Sequence, residues 1–144
     1  MRAVVHWMVA GCLVASCGTP EPSQSPVLAP AQPNGSSALA SAMVAMDDQL
    51  QATLESVMAD PNHAWEGRSL RNHELLAPEP TAPNMVNAHF RAQAPLYALA
   101  IEQFNESPSA DRFNAVVDAC TNCHLGTCPG PIERIEKRTW TAVN

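Results

Sequence analysis

Residues 118–128 read DACTNCHLGTC, so Cys120, Cys123, His124 and Cys128 fall within one short stretch of a chain that has five cysteines in all. Thiols and imidazoles bind borderline metals, exchange disulfides and anchor prosthetic groups. Cys120-Thr-Asn-Cys123-His124 has the Cys-x-x-Cys-His form of c-type haem attachment. On a helical turn the two thiols reach the two vinyl groups along one side of a porphyrin, and the adjacent histidine falls beneath the iron. Cys120 and Cys123 are then the thioether positions of one covalent haem c, and His124 Nε2 is the proximal axial ligand.

Three other chemistries use the same residue types. A thioredoxin-like redox pair needs its Cys-x-x-Cys at the start of a helix, where the dipole lowers a thiol pKa, and here the motif closes a helix. A structural zinc site could recruit Cys120, Cys123, His124 and Cys128, but such sites usually draw on two separated knuckles, and four ligands from one segment are cramped. A disulfide is the remaining option in an exported chain.

Export is indicated at the N-terminus. Arg2 precedes the apolar run AVVHWMVAGCLVA, which is too short to span a bilayer, and this reads as a signal peptide over residues 1–16. Val14-Ala15-Ser16-Cys17 resembles a bacterial lipobox, which makes Cys17 the lipidated residue of a periplasmic, membrane-anchored lipoprotein. Val9-Ala10-Gly11-Cys12 fits the same pattern but leaves an apolar run that is shorter and interrupted by His6 and Trp7. Residues 17–37 follow as a Pro- and Ser-rich tether, too poor in large apolar groups to offset the entropy of ordering. At ~3.1 Å per residue, it holds the domain up to roughly 60 Å from its anchor.

The elements that must position the motif are helical. From 38 to 144 the chain reads as one all-α domain, an antiparallel four-helix bundle with haem near the C-terminus of the last helix. Leu39, Met43, Met46, Leu50, Leu54 and Val57 recur at spacings of three and four, giving a first helix that Pro61 stops. A second helix is expected from Asp60 as cap and Pro61 at N1 through NHAWEGRSLRNHELLA, with Gly67 and a weak stripe against it. After the PEPTAP break, a third is expected over NMVNAHFRAQAPLYALAIEQF, kinked or divided at Pro95. Ser107 and Pro108 then read as the cap and first turn of a fourth. Its Phe113, Val116, Val117 and Cys120 carry one apolar face into the motif.

A helical domain that ends its last helix with FNAVVDACTNCH resembles the class II c-type cytochromes, the cytochrome c-prime group, over about residues 38–125. The resemblance implies that Cys120 and Cys123 bond the haem and that His124 holds the iron. It also implies a distal residue from the first helix, an apolar blocker in high-spin members and a methionine in low-spin ones. Met43 and Met46 lie in that region, and one of them as sixth ligand would give a His/Met electron-transfer centre; His63, His73 and His89 are competing candidates. Members often form homodimers through their first two helices. The chain departs from the pattern after His124, where Gly126, Pro129, Gly130 and Pro131 break the helix. Arg134, Lys137 and Arg138 then read as a solvated face, from which one residue could meet a haem propionate. Cys128 has no assigned partner.

The implied function is electron transfer between redox partner proteins in the periplasm. An empty sixth position would instead give a binder of nitric oxide or carbon monoxide, and a haem-free module with structural zinc is a third possibility. No catalytic Ser/His/Asp arrangement, phosphate-cradling glycine loop or paired-carboxylate motif points to an enzyme. A formal net charge of −6 disfavours nucleic acid and suits a basic partner.

Overall fold

The computed structural model describes residues 36–141. The signal peptide expected over 1–16, Cys12, the lipid-bearing Cys17 and the tether up to residue 35 lie outside the described residues. Within them the fold is all-α. Four α-helices, α1 (Ala38–Ala59), α2 (Ala88–Glu106), α3 (Ala110–Leu125) and α4 (Ile132–Glu136), are joined by irregular chain and two short 3₁₀ turns.

Each long helix begins at a side-chain cap. Ser37 Oγ accepts from the Ala40 N–H, Asn87 Oδ1 from Phe90 and Ser109 Oγ from Arg112. Each cap satisfies an N–H that the first turn leaves without a partner. The cap of α3 therefore lies two residues beyond the expected one. Ser107 instead ends α2, where its N–H bonds the Gln103 carbonyl. With only Ser107–Ser109 between them, α2 and α3 pack against each other as an antiparallel hairpin. α2 continues through Pro95 as one helix. Pro95 lies on the exposed face, so the carbonyl that it leaves without an amide partner is open to water.

The expected stripes form the core. Leu39, Met46, Leu50 and Val57 of α1, Phe90, Tyr97, Ile101 and Phe104 of α2, and Phe113, Val116, Val117 and Cys120 of α3 are all buried. At the α2–α3 turn, Phe104 and Phe113 lie with ring centroids 6.0 Å apart, and Trp65 packs on both, 6.1 and 5.3 Å away. Trp140 closes the cluster, 5.8 Å from Trp65.

The second helix expected after Asp60 is absent. Pro61–His63 makes a single 3₁₀ turn, and Gly67 reverses the chain at φ +66°. The segment that follows is held by amide side chains in place of a helical ladder. Asn105 accepts from Leu70 N–H at 2.7 Å and donates to Leu70 C=O at 2.8 Å. Gln49 binds both backbone groups of Arg71 in the same way, as Asn114 does those of Trp140. Two-point amide pairs of this kind replace the backbone partners that a helix would have supplied. Asn105→Ala is expected to cost about 1–3 kcal/mol, since it strips both polar groups of a buried residue at once. Urea denaturation of the full chain would show it as a lowered midpoint with an unchanged slope.

α1 approaches α2 and α3 less closely than they approach each other. A cleft opens in that gap.

Candidate functional site: the α3 terminus and its cleft

Positions 120, 123 and 124 are spaced i, i+3, i+4, which places their side chains on one face of α3. All three are buried. The end of the helix is fixed by the first turn of α2. Asn87 Nδ2 donates to the Gly126 carbonyl at 3.1 Å, and His89 Nε2 lies 2.9 Å from the Asn122 carbonyl, so that nitrogen carries a proton. Gly126, the C-cap, leaves no room for a side chain, because a Cβ there would run into the His89 ring. Gly126→Ala is expected to push His89 off Asn122 and to destabilise the fold by about 1–3 kcal/mol. A thermal melt checks the cost, and a change in the His89 ring-nitrogen shifts in NMR, as its bond to Asn122 is lost, checks its cause.

Beyond Gly126 the chain folds back on itself. The N–H groups of Thr127 and Cys128 both donate to the His124 carbonyl, at 3.3 and 3.1 Å. The reversal carries the Cys128 carbonyl to 2.9 Å from His124 Nδ1, with the Cys128 Sγ 3.3 Å from the same nitrogen. A carbonyl only accepts, so Nδ1 bears the proton and Nε2 keeps its lone pair. Metal-binding histidines are held by such a bond on the nitrogen that does not ligate. Cys128, unassigned in the sequence, thus acquires a place behind His124.

The cleft faced by this turn encloses about 60 Å³ and opens to solvent at its mouth. Its walls are largely apolar. Cys120, Cys123 and His124 line it from α3, and Met43, Met46 and Leu50 from α1. Tyr97, Leu75 and the Pro131–Ile135 turn complete the enclosure. Burial pushes the Cys120 thiol up to about 12, with smaller contributions from Cys123 and Asp47. It also raises Cys123 to about 11, helped by Cys128. These thiols stay protonated at neutral pH, the reverse of what a redox-exchange pair requires. Tyr97 is likewise raised by burial, offset in part by a hydrogen bond from the His73 backbone.

Asp47 is the buried charge of the cleft. Arg138 grips it with a two-pronged pair, Nε to Oδ1 at 3.1 Å and Nη2 to Oδ2 at 2.9 Å, and Arg134 Nε reaches Oδ2 at 3.3 Å. The pairing holds the Arg138 pKa above its usual value. These contacts correct the expectation of a solvated basic face. The correction applies to Arg138; Arg134 keeps a half-exposed side chain, and Lys137 pairs with Glu133 in solvent. Asp47 had a visible sign in the sequence, a carboxylate set between Met46 and Leu50 on the apolar stripe of α1. The residues 129–138 that supply its partners had none.

Of the distal candidates, both methionines line the cleft, Met46 buried and Met43 partly so. His89 is engaged by Asn122, and His73 lies in a separate groove beside Pro95 and Ala98, its pKa lowered by burial and by Arg71. The His63 side chain lies outside the described residues. Among the described residues, the three cysteines are free thiols, and no three His, Cys, Asp or Glu side chains gather closely enough to hold a metal ion by themselves. Nor does any described helix have the length and apolarity to cross a membrane. The chain matches no family model, no curated protein and no solved structure.

Proposed function

We propose that this chain is a c-type cytochrome, similar to the class II group, that carries one covalent haem and passes electrons between redox partner proteins. One observation carries the proposal: Cys120, Cys123 and His124 face a single apolar cleft, with the His124 Nδ1 proton already held by the Cys128 carbonyl. That arrangement leaves Nε2 as the available donor, and it suits a cofactor that needs only one or two ligands from the protein.

The residues divide the work between them. Cys120 and Cys123 would anchor the porphyrin edge, His124 would hold the iron, and Met43 or Met46 would meet its other side. The haem would supply one-electron redox chemistry. Leu50, Leu75 and Ile135 exclude water from the same space, which reduces the solvent reorganisation that accompanies electron transfer. Export and lipidation at Cys17 would place the domain in the periplasm on a membrane anchor.

Both methionines line the cleft, and this favours a six-coordinate carrier over a five-coordinate binder of nitric oxide or carbon monoxide. Protein matured with haem and oxidised is expected to give a low-spin spectrum with a methionine-to-iron charge-transfer band. Either Met43→Ala or Met46→Ala, and not both, should abolish the band and lower the reduction potential. A high-spin spectrum in the unsubstituted protein would overturn electron transfer in favour of gas binding.

A further inference from the structure

The cleft has one feature that thioethers and an axial ligand leave unused. Asp47 is matched twice over. The Arg138 fork alone satisfies both carboxylate oxygens and neutralises its charge, and the Arg138 side chain is only 14% exposed. Arg134 contributes a single, longer contact through Nε, and its side chain is 51% exposed on the lining of the cleft. A guanidinium presents five N–H donors. Among the described residues, the two terminal nitrogens of Arg134 have no partner. Asp48 and Glu55 act on Arg138 from further off, and among the described residues Arg134 has no carboxylate other than Asp47 within ion-pair distance. Lys137, just after α4, is matched by Glu133.

An apolar cleft with one half-exposed guanidinium at its edge suits a flat apolar body with an anionic group on its periphery. We infer that Arg134 is a carboxylate-recognition residue, which receives a carboxylate of a tetrapyrrole in the cleft while Asp47 and Arg138 hold the α4 turn in place. The inference rests on the haem reading above. Planar guanidiniums pair with carboxylates through two parallel bonds, which gives direction as well as attraction. The Nε contact to Asp47 sets the orientation of that fork without consuming it. Arg134 thus selects dicarboxylic porphyrins over esterified ones and fixes which edge of the ring faces the mouth.

The test uses the full chain expressed without haem-maturation machinery, kept reduced, and titrated with haemin, protoporphyrin IX and protoporphyrin IX dimethyl ester by quenching of tryptophan fluorescence. The unsubstituted protein should bind the diacid about three- to tenfold more tightly than the ester, as expected for a partly exposed charge-assisted pair. Arg134→Gln should erase that preference with little change in melting temperature, and Arg134→Lys should restore part of it. If Arg134→Gln keeps the preference while haemin still binds, the assignment of Arg134 is overturned and the haem reading stands. If the unsubstituted protein binds none of the three, both fall together.

Discussion

Replacing Cys120 and Cys123 together by alanine is expected to abolish covalent retention of haem in a maturation-competent host, whereas each single substitution leaves one thioether and a weakened yield. The two thiols lie on one face of α3 and line the same cleft, so no other described cysteine can substitute for them. Cys128, the third free thiol, sits on the Nδ1 side of His124. His124→Ala is expected to behave differently, keeping the colour on the chain but losing the proximal ligand. Mass spectrometry of the denatured chain shows whether a porphyrin is attached, and the pyridine haemochrome band, which shifts with the number of vinyl groups left unsaturated, separates one thioether from two. The helices should persist in the double variant, because the aromatic cluster of Trp65, Phe104, Phe113 and Trp140 is built from other parts of the chain. Its melting temperature should nonetheless fall below that of the haem-loaded protein. A domain of this size gains a substantial apolar body when the ring is in place.

The second large effect is expected at Asp47. Asp47→Ala leaves Arg138 without its hydrogen-bonded carboxylate and with only the more distant Asp48 and Glu55, a change that costs up to about 3–5 kcal/mol where a buried pair loses one member. Against a total stability of about 5–15 kcal/mol for a small domain, the variant should be close to unfolding at physiological temperature. Replacing the pair together, Asp47→Leu with Arg138→Met, should recover most of the loss, since a matched apolar pair avoids the desolvation cost. Denaturant titrations of the two single variants and the double one give the coupling directly. A loss below about 0.5 kcal/mol in Asp47→Ala would mean that the α4 turn is held by Ile135 packing alone.

Much of this was legible from local pattern. Apolar spacing placed α1, α2 and the run from Phe113 to Cys120, because a helix that buries one face must repeat its large residues every three or four positions. The motif was legible for the same reason: Cys120, Cys123 and His124 share a helical face whatever surrounds them. That Met43 and Met46 would face the motif is implied by the resemblance to class II cytochromes; the α1 stripe by itself marks them only as core. What failed was the segment after Asp60. Its geometry is set by Gln49 and Asn105, which pair with backbone groups of Arg71 and Leu70 across long stretches of sequence. Bonds of that kind leave no periodic trace. The basic C-terminal residues misled for a related reason. Nothing near Arg138 in the sequence discloses a buried carboxylate at position 47, which lies 91 positions away in the chain. The role of the Cys128 carbonyl was equally hidden, since it depends on the turn that Gly126 begins.

The most direct measurement is a pyridine haemochrome spectrum on full-length protein made in a maturation-competent host, denatured and extracted with acidified acetone. The expected result is one haem per chain that stays with the polypeptide and gives the spectrum of a porphyrin whose two vinyl groups are saturated. Colour that passes wholly into the acetone, or a colourless chain from a host that matures other c-type cytochromes, would contradict the account.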